Sequence, residues 1–261
     1  MTTVDIQQHS ASIALESMEH ALRVKLAGTY RIFAMLGWTE LIYNHISVRV
    51  RVRVPGPHTH FLINPFGLHY SEVKASNLVK IDLDGHVVGD SPHPVNEAGF
   101  VIHSAIHRAL PDAHCVMHTH TTAGVAVACT QNGIDYSNFY SAQLHDMVAY
   151  HDFEGITVYA DEGPRLVADL GDKPLMILRN HGLLSLGSTI AQAFVRLWTL
   201  NRACEVQLAT AALGTQRMIA DEIVARSTRD APQYDPRFGA GEDVLGALLR
   251  QADRLDPSYR H

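Results

Sequence analysis

The chain has little of what marks several large protein classes. Its 261 residues include only three cysteines, an odd number, so no disulfide framework is expected. No apolar run approaches the roughly 18 residues needed to span a bilayer, and the N-terminus lacks a basic segment followed by an apolar one. These absences predict a soluble, cytoplasmic protein with reduced thiols and no membrane partner.

Clustered positive charge is missing as well. Lys and Arg total 21 against 27 Asp and Glu, which gives a net charge of -6. A nucleic-acid surface needs grouped basic residues, and the single basic run, residues 49–53, alternates with valine like one face of a strand. We therefore expect no nucleic-acid partner. The chain also lacks a Ser-His-Asp order, a Walker-type glycine loop and a Rossmann fingerprint, so nucleotide and acyl-transfer chemistry are not supported.

Hydrophobic periodicity predicts alternating helices and strands. Hydrophobic residues make up 46% of the chain and no linker is evident between residues 20 and 212, so we predict one domain over residues 1–212. A tail, residues 213–261, follows with one amphipathic helix. Predicted helices cover residues 13–36, 97–110, 121–130 and 189–212, and predicted strands cover residues 46–54, 60–64, 78–83, 115–120, 156–159, 175–178 and 183–186. The mixture predicts an α/β fold whose mixed sheet is covered on both faces.

Histidine is the abundant residue, with 17 copies, and three of them suggest a metal site. His118 and His120 end an apolar run, and a strand would send both side chains to one face. His181 follows the apolar run Leu175–Leu178 and precedes Gly182, whose missing Cβ allows a close approach. Three imidazole ligands leave a tetrahedral Zn²⁺ one open position, which is typical of catalytic sites. The alternative is a chance His-x-His pair, and the position of each histidine at a strand end favours the metal.

Four separated motifs resemble the class II aldolase and adducin family, most closely its adducin head domains. They follow the family's order over roughly residues 20–210 and are Tyr43–Ser47, Phe61–Glu72, His118–His120 and Leu178–Leu183. The resemblance implies a three-layer α/β/α sandwich with a mixed, largely antiparallel central sheet. It also implies a Zn²⁺ ion held by His118, His120 and His181, and a homotetramer with sites between subunits.

The chemistry implied by the resemblance is that of a metal-dependent lyase. A dication on the hydroxyl and carbonyl oxygens of a small substrate stabilises the charge left by C–C cleavage, and decarboxylation leaves a similar charge. The loop Asn64–Gly67 replaces the phosphate-binding Thr-Pro-Thr-Gly of sugar-phosphate aldolases, so we expect an unphosphorylated hydroxy-carbonyl or keto-acid substrate that contacts Asn64, Gly67 and His69. Two alternatives stay open: an Fe²⁺ oxygenase acting on an aromatic keto acid, and a non-catalytic adducin-like binding module. Mn²⁺ is a further alternative ion.

The catalytic acid or base departs from the family's spacing. The aldolases place a glutamate four residues before a histidine that precedes the metal pair by fifteen, and counting back through His103 puts Gly99 there. Glu97 is the candidate two residues away, and its alternative is an exposed first-turn glutamate favoured by the helix dipole. Tyr140 lies where aldolases bring a tyrosine across the subunit interface, and its alternative is a packed interface tyrosine. His103 and His107, one helical turn apart, either line the pocket together or cover a wet surface.

Overall fold

A seven-stranded sheet forms the centre of the described part of the chain. The computed structural model describes residues 3–50, 59–156, 159–231 and 239–261, without the side chains of residues 3–13, 97, 98 and 160. In chain order the strands are β1 (His45–Val50), β2 (His60–Ile63), β3 (Val79–Asp82), β4 (Cys115–Thr119), β5 (Val148–His151), β6 (Leu175–Leu178) and β7 (Gly182–Gly187). Their spatial order is β3-β2-β1-β4-β7-β6-β5, and the neighbouring pairs are antiparallel except for β5 and β6.

Helices cover both faces of this sheet. They are α1 (Thr3–Leu36), α2 (Glu97–Ala109), α3 (Thr122–Ala128), α4 (Gly163–Leu170), α5 (Ile190–Ala211), α6 (Asp221–Asp230) and α7 (Glu242–Leu255). One face shares its core with α1, α3, α5 and α7, and the other face packs against α2 and α4. The predicted three-layer α/β/α sandwich with a mixed, largely antiparallel sheet is confirmed. No helix among the described residues is both long and apolar enough to cross a membrane.

Residues of β1 alternate between the two faces of the sheet, and its polar side chains lie on the face that packs against α2. Ile46, Val48 and Val50 belong to the core shared with α1 and α5, because every second residue of a strand faces the same side. His45 and Ser47 face the opposite side and contact α2 through hydrogen bonds. Both are buried, so this face of the strand carries a polar layer inside the protein.

Two predicted strands differ from the structure. A strand was expected at residues 156–159, but Ile156 lies in a bend and Tyr159 has no regular secondary structure. Residues 157 and 158 lie outside the described part. The edge strand is instead β5 (Val148–His151), which pairs in parallel with β6. Four residues of alternating burial are too short a pattern to identify an edge strand from sequence. The first strand ends at Val50 in the structure, and residues 51–58 of the predicted run are not described.

The tail packs onto the rest of the chain. Helix α7 lies against α1 and α5, and a Lys25–Glu242 ion pair of 2.7 Å joins it to α1. The last turn, Pro257–Arg260, places Tyr259 in the main core with only 1% of its surface exposed. Helix α6 was not part of the sequence prediction, because its sequence is largely polar and only Val224 is buried.

Candidate metal centre

Three histidines converge at one end of the sheet. His118 lies in β4, His120 directly follows that strand, and His181 lies in the turn between β6 and β7. Their ring nitrogens offer one ligand atom each, and these atoms all lie within 4.8 Å of one another. The Nε2 atoms of His118 and His120 are 2.7 Å apart, and the His181 ring centroid lies 4.8 Å and 4.9 Å from the other two. The structure therefore brings together the three ligands that the sequence suggests.

Strand pairing explains why histidines 61 residues apart meet. Strands β4 and β7 are antiparallel, and Thr119 lies opposite Leu183, so the end of one meets the start of the other. A tight turn from β6 presents His181, and Asn180 adopts a left-handed φ of 57°, which asparagine tolerates better than most residues. A Cβ on Gly182 would clash with the carbonyl oxygen of Thr119 and lie 3.2 Å from the His118 ring. Glycine is required there by the close approach of the two strands.

Hydrogen bonds hold the ring of one histidine and the backbone of another. The Nδ1 atom of His118 lies 2.9 Å from the carbonyl oxygen of Leu183, which can only accept, so Nδ1 carries the proton and Nε2 keeps its lone pair. The backbone N–H of His120 donates to Asn44 Oδ1 over 2.9 Å, and Asn44 Nδ2 donates to the carbonyl of Trp38 over 3.0 Å. Asn44 lies in one of the family motifs, but no local spacing indicates this role.

The environment keeps the three imidazoles neutral. Burial lowers the pKa of His181 to about 4, with the charge of His120 as a further cause. Burial also lowers the pKa of His120, and it lowers that of His118 well below the ordinary value. A neutral imidazole is the form that binds a metal, so protons compete little for these ligands near neutral pH. Imidazole nitrogens suit Zn²⁺ and Fe²⁺, and the donor set therefore fits the implied ion.

The predicted substrate-binding residues lie in the loop after β2, at the same end of the sheet. Asn64 is buried, and its Oδ1 lies 2.9 Å from the hydroxyl of Tyr30. Gly67 is exposed with a φ of 98°. The exposed His69 caps the short helix Tyr70–Glu72, with its Nδ1 accepting from the backbone N–H of Ser71. Within the described residues, no hydrogen bond or ring contact joins these side chains to the three metal-site histidines.

The predicted acid or base residues have different positions. Glu97 is the first residue of α2, and its side chain lies outside the described part. The first turn of this helix approaches the site, since a Cβ on Gly99 would lie 2.7 Å from the His45 ring. Tyr140 is half-buried, and its ring packs edge-on against Trp198 at 5.7 Å between centroids. No described hydrogen bond or ring contact links Tyr140 to the three histidines of its own chain.

A second group of histidines lies directly behind the candidate metal ligands. His103 and His107 of α2 are 0% and 1% exposed, so the wet-surface interpretation is wrong. Both bond to Ser47 Oγ, at 2.6 Å and 2.7 Å, and His103 Nε2 lies 2.8 Å from His45 Nδ1. The His45 ring centroid is 4.9 Å from that of His118. The sequence signal for this group was the alternation of His45 and Ser47 in β1.

Comparisons with known proteins agree with this geometry. Residues 24–208 match the family model described as the Class II Aldolase and Adducin N-terminal domain. An aldolase II superfamily protein from Pseudomonas syringae is 43% identical, with a TM-score of 0.84 over 93% of this chain and 96% of that one. An L-fuculose 1-phosphate aldolase from Glaciozyma antarctica is 29% identical, with a TM-score of 0.81 over 95% and 94%. Alpha-adducin from Mus musculus is 40% identical over 98% of this chain and 36% of its own length.

Proposed function

Because the chain belongs to the class II aldolase and adducin family, we propose that it is a divalent-metal-dependent lyase acting on a small hydroxy-carbonyl or keto-acid compound. The reaction is C–C bond cleavage or decarboxylation. The observation that carries the proposal is the convergence of three neutral imidazoles within 4.8 Å of one another. A dication bound there supplies positive charge where negative charge develops on the substrate's oxygen atoms.

His118, His120 and His181 would hold the ion. Leu183 and Asn44 keep the first two in place through the hydrogen bonds described above, so little ordering is needed on binding. Three protein ligands leave room for a substrate oxygen. Zn²⁺ is the ion that we propose, with Fe²⁺ or Mn²⁺ as alternatives.

We propose that the substrate carries no phosphate. The loop with the candidate contacts Asn64, Gly67 and His69 has Asn64 and Phe66 at the positions of the two threonines in Thr-Pro-Thr-Gly, so it lacks the hydroxyls that bind a phosphate there. The Asn64 and His69 side chains are engaged in local hydrogen bonds. The substrate of this chain would then carry no phosphate, unlike the substrate named for the L-fuculose 1-phosphate aldolase.

Glu97 and Tyr140 are the proposed acid or base residues. The first turn of α2, which Glu97 begins, lies against His45 beside His118, and this position supports Glu97. Tyr140 would act from a neighbouring copy in a homotetramer, because its ring has no described contact with the histidines of its own chain. In this arrangement Glu97→Gln and Tyr140→Phe lower turnover while the bound metal is retained.

Metal content and turnover, measured together, test the proposal. Purified protein is compared with His118→Ala and with His20→Ala, a control that removes an exposed imidazole from α1. We expect about one zinc per native chain and turnover of some member of a hydroxy-carbonyl and keto-acid panel, with both lost in His118→Ala and kept in His20→Ala. Equal turnover by His118→Ala would overturn the proposal. Tightly held iron with O₂ consumption would favour the oxygenase, and absent metal with unchanged assembly would favour an adducin-like binding module.

A further inference from the structure

A chain of hydrogen bonds runs through the polar layer between β1 and α2. It begins at the carbonyl oxygen of Ala113, 2.9 Å from His107 Nδ1. It continues from His107 Nε2 to Ser47 Oγ over 2.7 Å and from Ser47 Oγ to His103 Nδ1 over 2.6 Å. It ends with His103 Nε2 and His45 Nδ1, 2.8 Å apart. Its four side chains are 3% exposed or less, so water does not take part in these bonds.

The proton positions in this chain follow from its first member. All three rings are 3% exposed or less, and no carboxylate is among their hydrogen-bond partners in the described residues, so no ring has a counter-charge and each is neutral. A carbonyl oxygen only accepts, and His107 therefore carries its one proton on Nδ1. Ser47 must then donate to His107 Nε2 and accept from His103 Nδ1. His103 Nε2 is left to accept from His45 Nδ1, and the lone pair of His45 stands on Nε2.

The His45 ring, which carries this lone pair on Nε2, lies beside the candidate metal site, with its centroid 4.9 Å from that of His118. Among the described residues no hydrogen bond is found for this nitrogen, whereas the other ring nitrogens of these three histidines and Ser47 Oγ are all paired. Nε2 lies 3.0 Å from where a Cβ on Gly99 would stand, so the absence of a side chain at that position leaves room for the ring. His45 also lies opposite His118 in the β1–β4 pair. His45 does not belong to the group of three histidines whose ligand nitrogens lie within 4.8 Å of one another. It is therefore a neighbour of the candidate ligands and not one of them.

We infer that His45 is a specificity-determining residue, whose Nε2 accepts a hydrogen bond from a substrate hydroxyl while the His103–Ser47–His107 chain fixes its tautomer. The inference rests on the proposed function, because the substrate must bind at the same metal centre. A neutral imidazole with a fixed acceptor pairs with a hydroxyl, whereas a methyl ether has no proton to donate and leaves the imidazole Nε2 without a partner. A site built to pair a hydroxyl rejects the analogue that lacks its proton, because a buried polar group then loses its partner. The substrate class narrows accordingly to compounds with a free hydroxyl beside the metal-binding oxygen.

The tautomer part is tested by imidazole ¹⁵N chemical shifts in the native protein. We expect His45, His103 and His107 each to show a protonated Nδ1 and an unprotonated Nε2. Ser47→Ala removes the hydroxyl that joins the two α2 histidines, so His45 should shift to a mixture of tautomers while the fold is retained. A protonated Nε2 on native His45, or an unchanged His45 tautomer in Ser47→Ala, would overturn the inferred chain.

The specificity part is tested with two probes, glycolate and methoxyacetate, on zinc-loaded protein. Both offer a carboxylate and an adjacent oxygen to the ion, but only glycolate has a hydroxyl proton. We expect the native protein to bind glycolate about tenfold or more tightly than methoxyacetate, and His45→Phe to bind the two nearly equally. His45→Gln, which keeps a polar group facing His103, provides a second variant if the phenylalanine variant fails to fold.

The outcomes separate this inference from the proposed function. Metal retained with equal affinities for the two probes in the native protein overturns the inference and leaves the lyase proposal intact. Loss of the metal in both His45 variants, with folding unchanged, makes His45 a ligand of the ion and also overturns the inference. Absence of bound metal in every native preparation overturns the proposed function, whatever the tautomer of His45.

Discussion

Two glycines at the residue scale decide which side chains can reach the metal centre. Gly182 lets β7 approach β4, because a Cβ there would clash with the Thr119 carbonyl oxygen. Gly99 leaves space that the His45 ring occupies. Neither Gly99 nor Gly182 has a positive φ. The need for glycine at both positions therefore comes from steric contact and not from the backbone conformation. Each position therefore controls the placement of a histidine that lies elsewhere in the sequence.

Gly182→Ala is expected to weaken both the fold and the metal site. The added methyl group forces β4 and β7 apart, and overpacking of this kind costs about 1–3 kcal/mol. The His118 and His120 rings must shift as well, so zinc affinity falls. Urea unfolding and zinc titration measure the two effects. Gly246→Ala in α7 is the control, since its Cβ would meet only the end of the Arg250 side chain at 3.5 Å, and unchanged zinc affinity in both variants would contradict the prediction.

The buried histidines make the stability of the metal-free protein depend on pH. The pKa values of His45 and His107 are lowered from 6.5 to about 3 in the folded protein. Between these values the unfolded chain binds more protons than the folded one, so the free energy of unfolding falls as the pH drops below 6.5. The slope is up to about 1.4 kcal/mol per pH unit for each such histidine. Urea titrations at about pH 7, 6 and 5 measure it, and a flat profile would contradict the buried neutral rings.

At the element scale, the order of three neighbouring strands determines where the candidate site forms. Strand β4 lies between β1 and β7, so His118 has His45 opposite it on one side and the turn with His181 on the other. The loop before β1 contributes Asn44, which holds the backbone of His120. The ligands are thus positioned by segments from both neighbouring strands.

Asn44→Ala should reduce stability and metal affinity together. The change leaves the His120 N–H and the Trp38 carbonyl without their partner inside the protein, which costs about 1–3 kcal/mol. The backbone of His120 would then be free to shift and carry its ring away from the other two, and loss of a supporting group around a metal site lowers metal affinity about 10–100-fold. Asn44→Asp keeps the acceptor for His120 but loses the donor, so it should retain more zinc affinity than alanine. Equal zinc affinity in the native and alanine proteins, measured by chelator competition, would refute this role.

Local patterns predicted most of the elements and singled out three histidines that the structure brings together, but they did not predict how the strands pair. His118 and His120 end an apolar strand, and the two-residue period indicates that they share a face. The long-range pairs, His45 opposite His118 above all, depend on contacts between segments about 70 residues apart, which no local pattern encodes. The same limit explains why the four-residue edge strand β5 was missed and why the burial of His103 and His107 was left open.

At the scale of the whole molecule, variants of Tyr140 test whether neighbouring chains share a site. If the tyrosine serves a neighbour's site, a chain with Tyr140→Phe and a chain with His118→Ala each have lowered turnover alone but can complement each other. In a ring with one tyrosine donor per site, equal mixing leaves about a quarter of the sites with both native residues. Subunit exchange followed by a turnover assay measures this recovery. No recovery after confirmed exchange would show that Tyr140 does not act between chains.

The position of β4 at the centre of the sheet also determines how the protein unfolds locally. An ion bound by His118, His120 and His181 would fasten β4 to the turn that leads into β7, across their shared ladder of backbone hydrogen bonds. Amide protons of both strands would then exchange with solvent as one cooperative unit, and its opening free energy would rise with zinc concentration. The edge strand β5 would keep its own exchange rate. Deuterium uptake along the backbone would thus report occupancy of the centre before any substrate has been found.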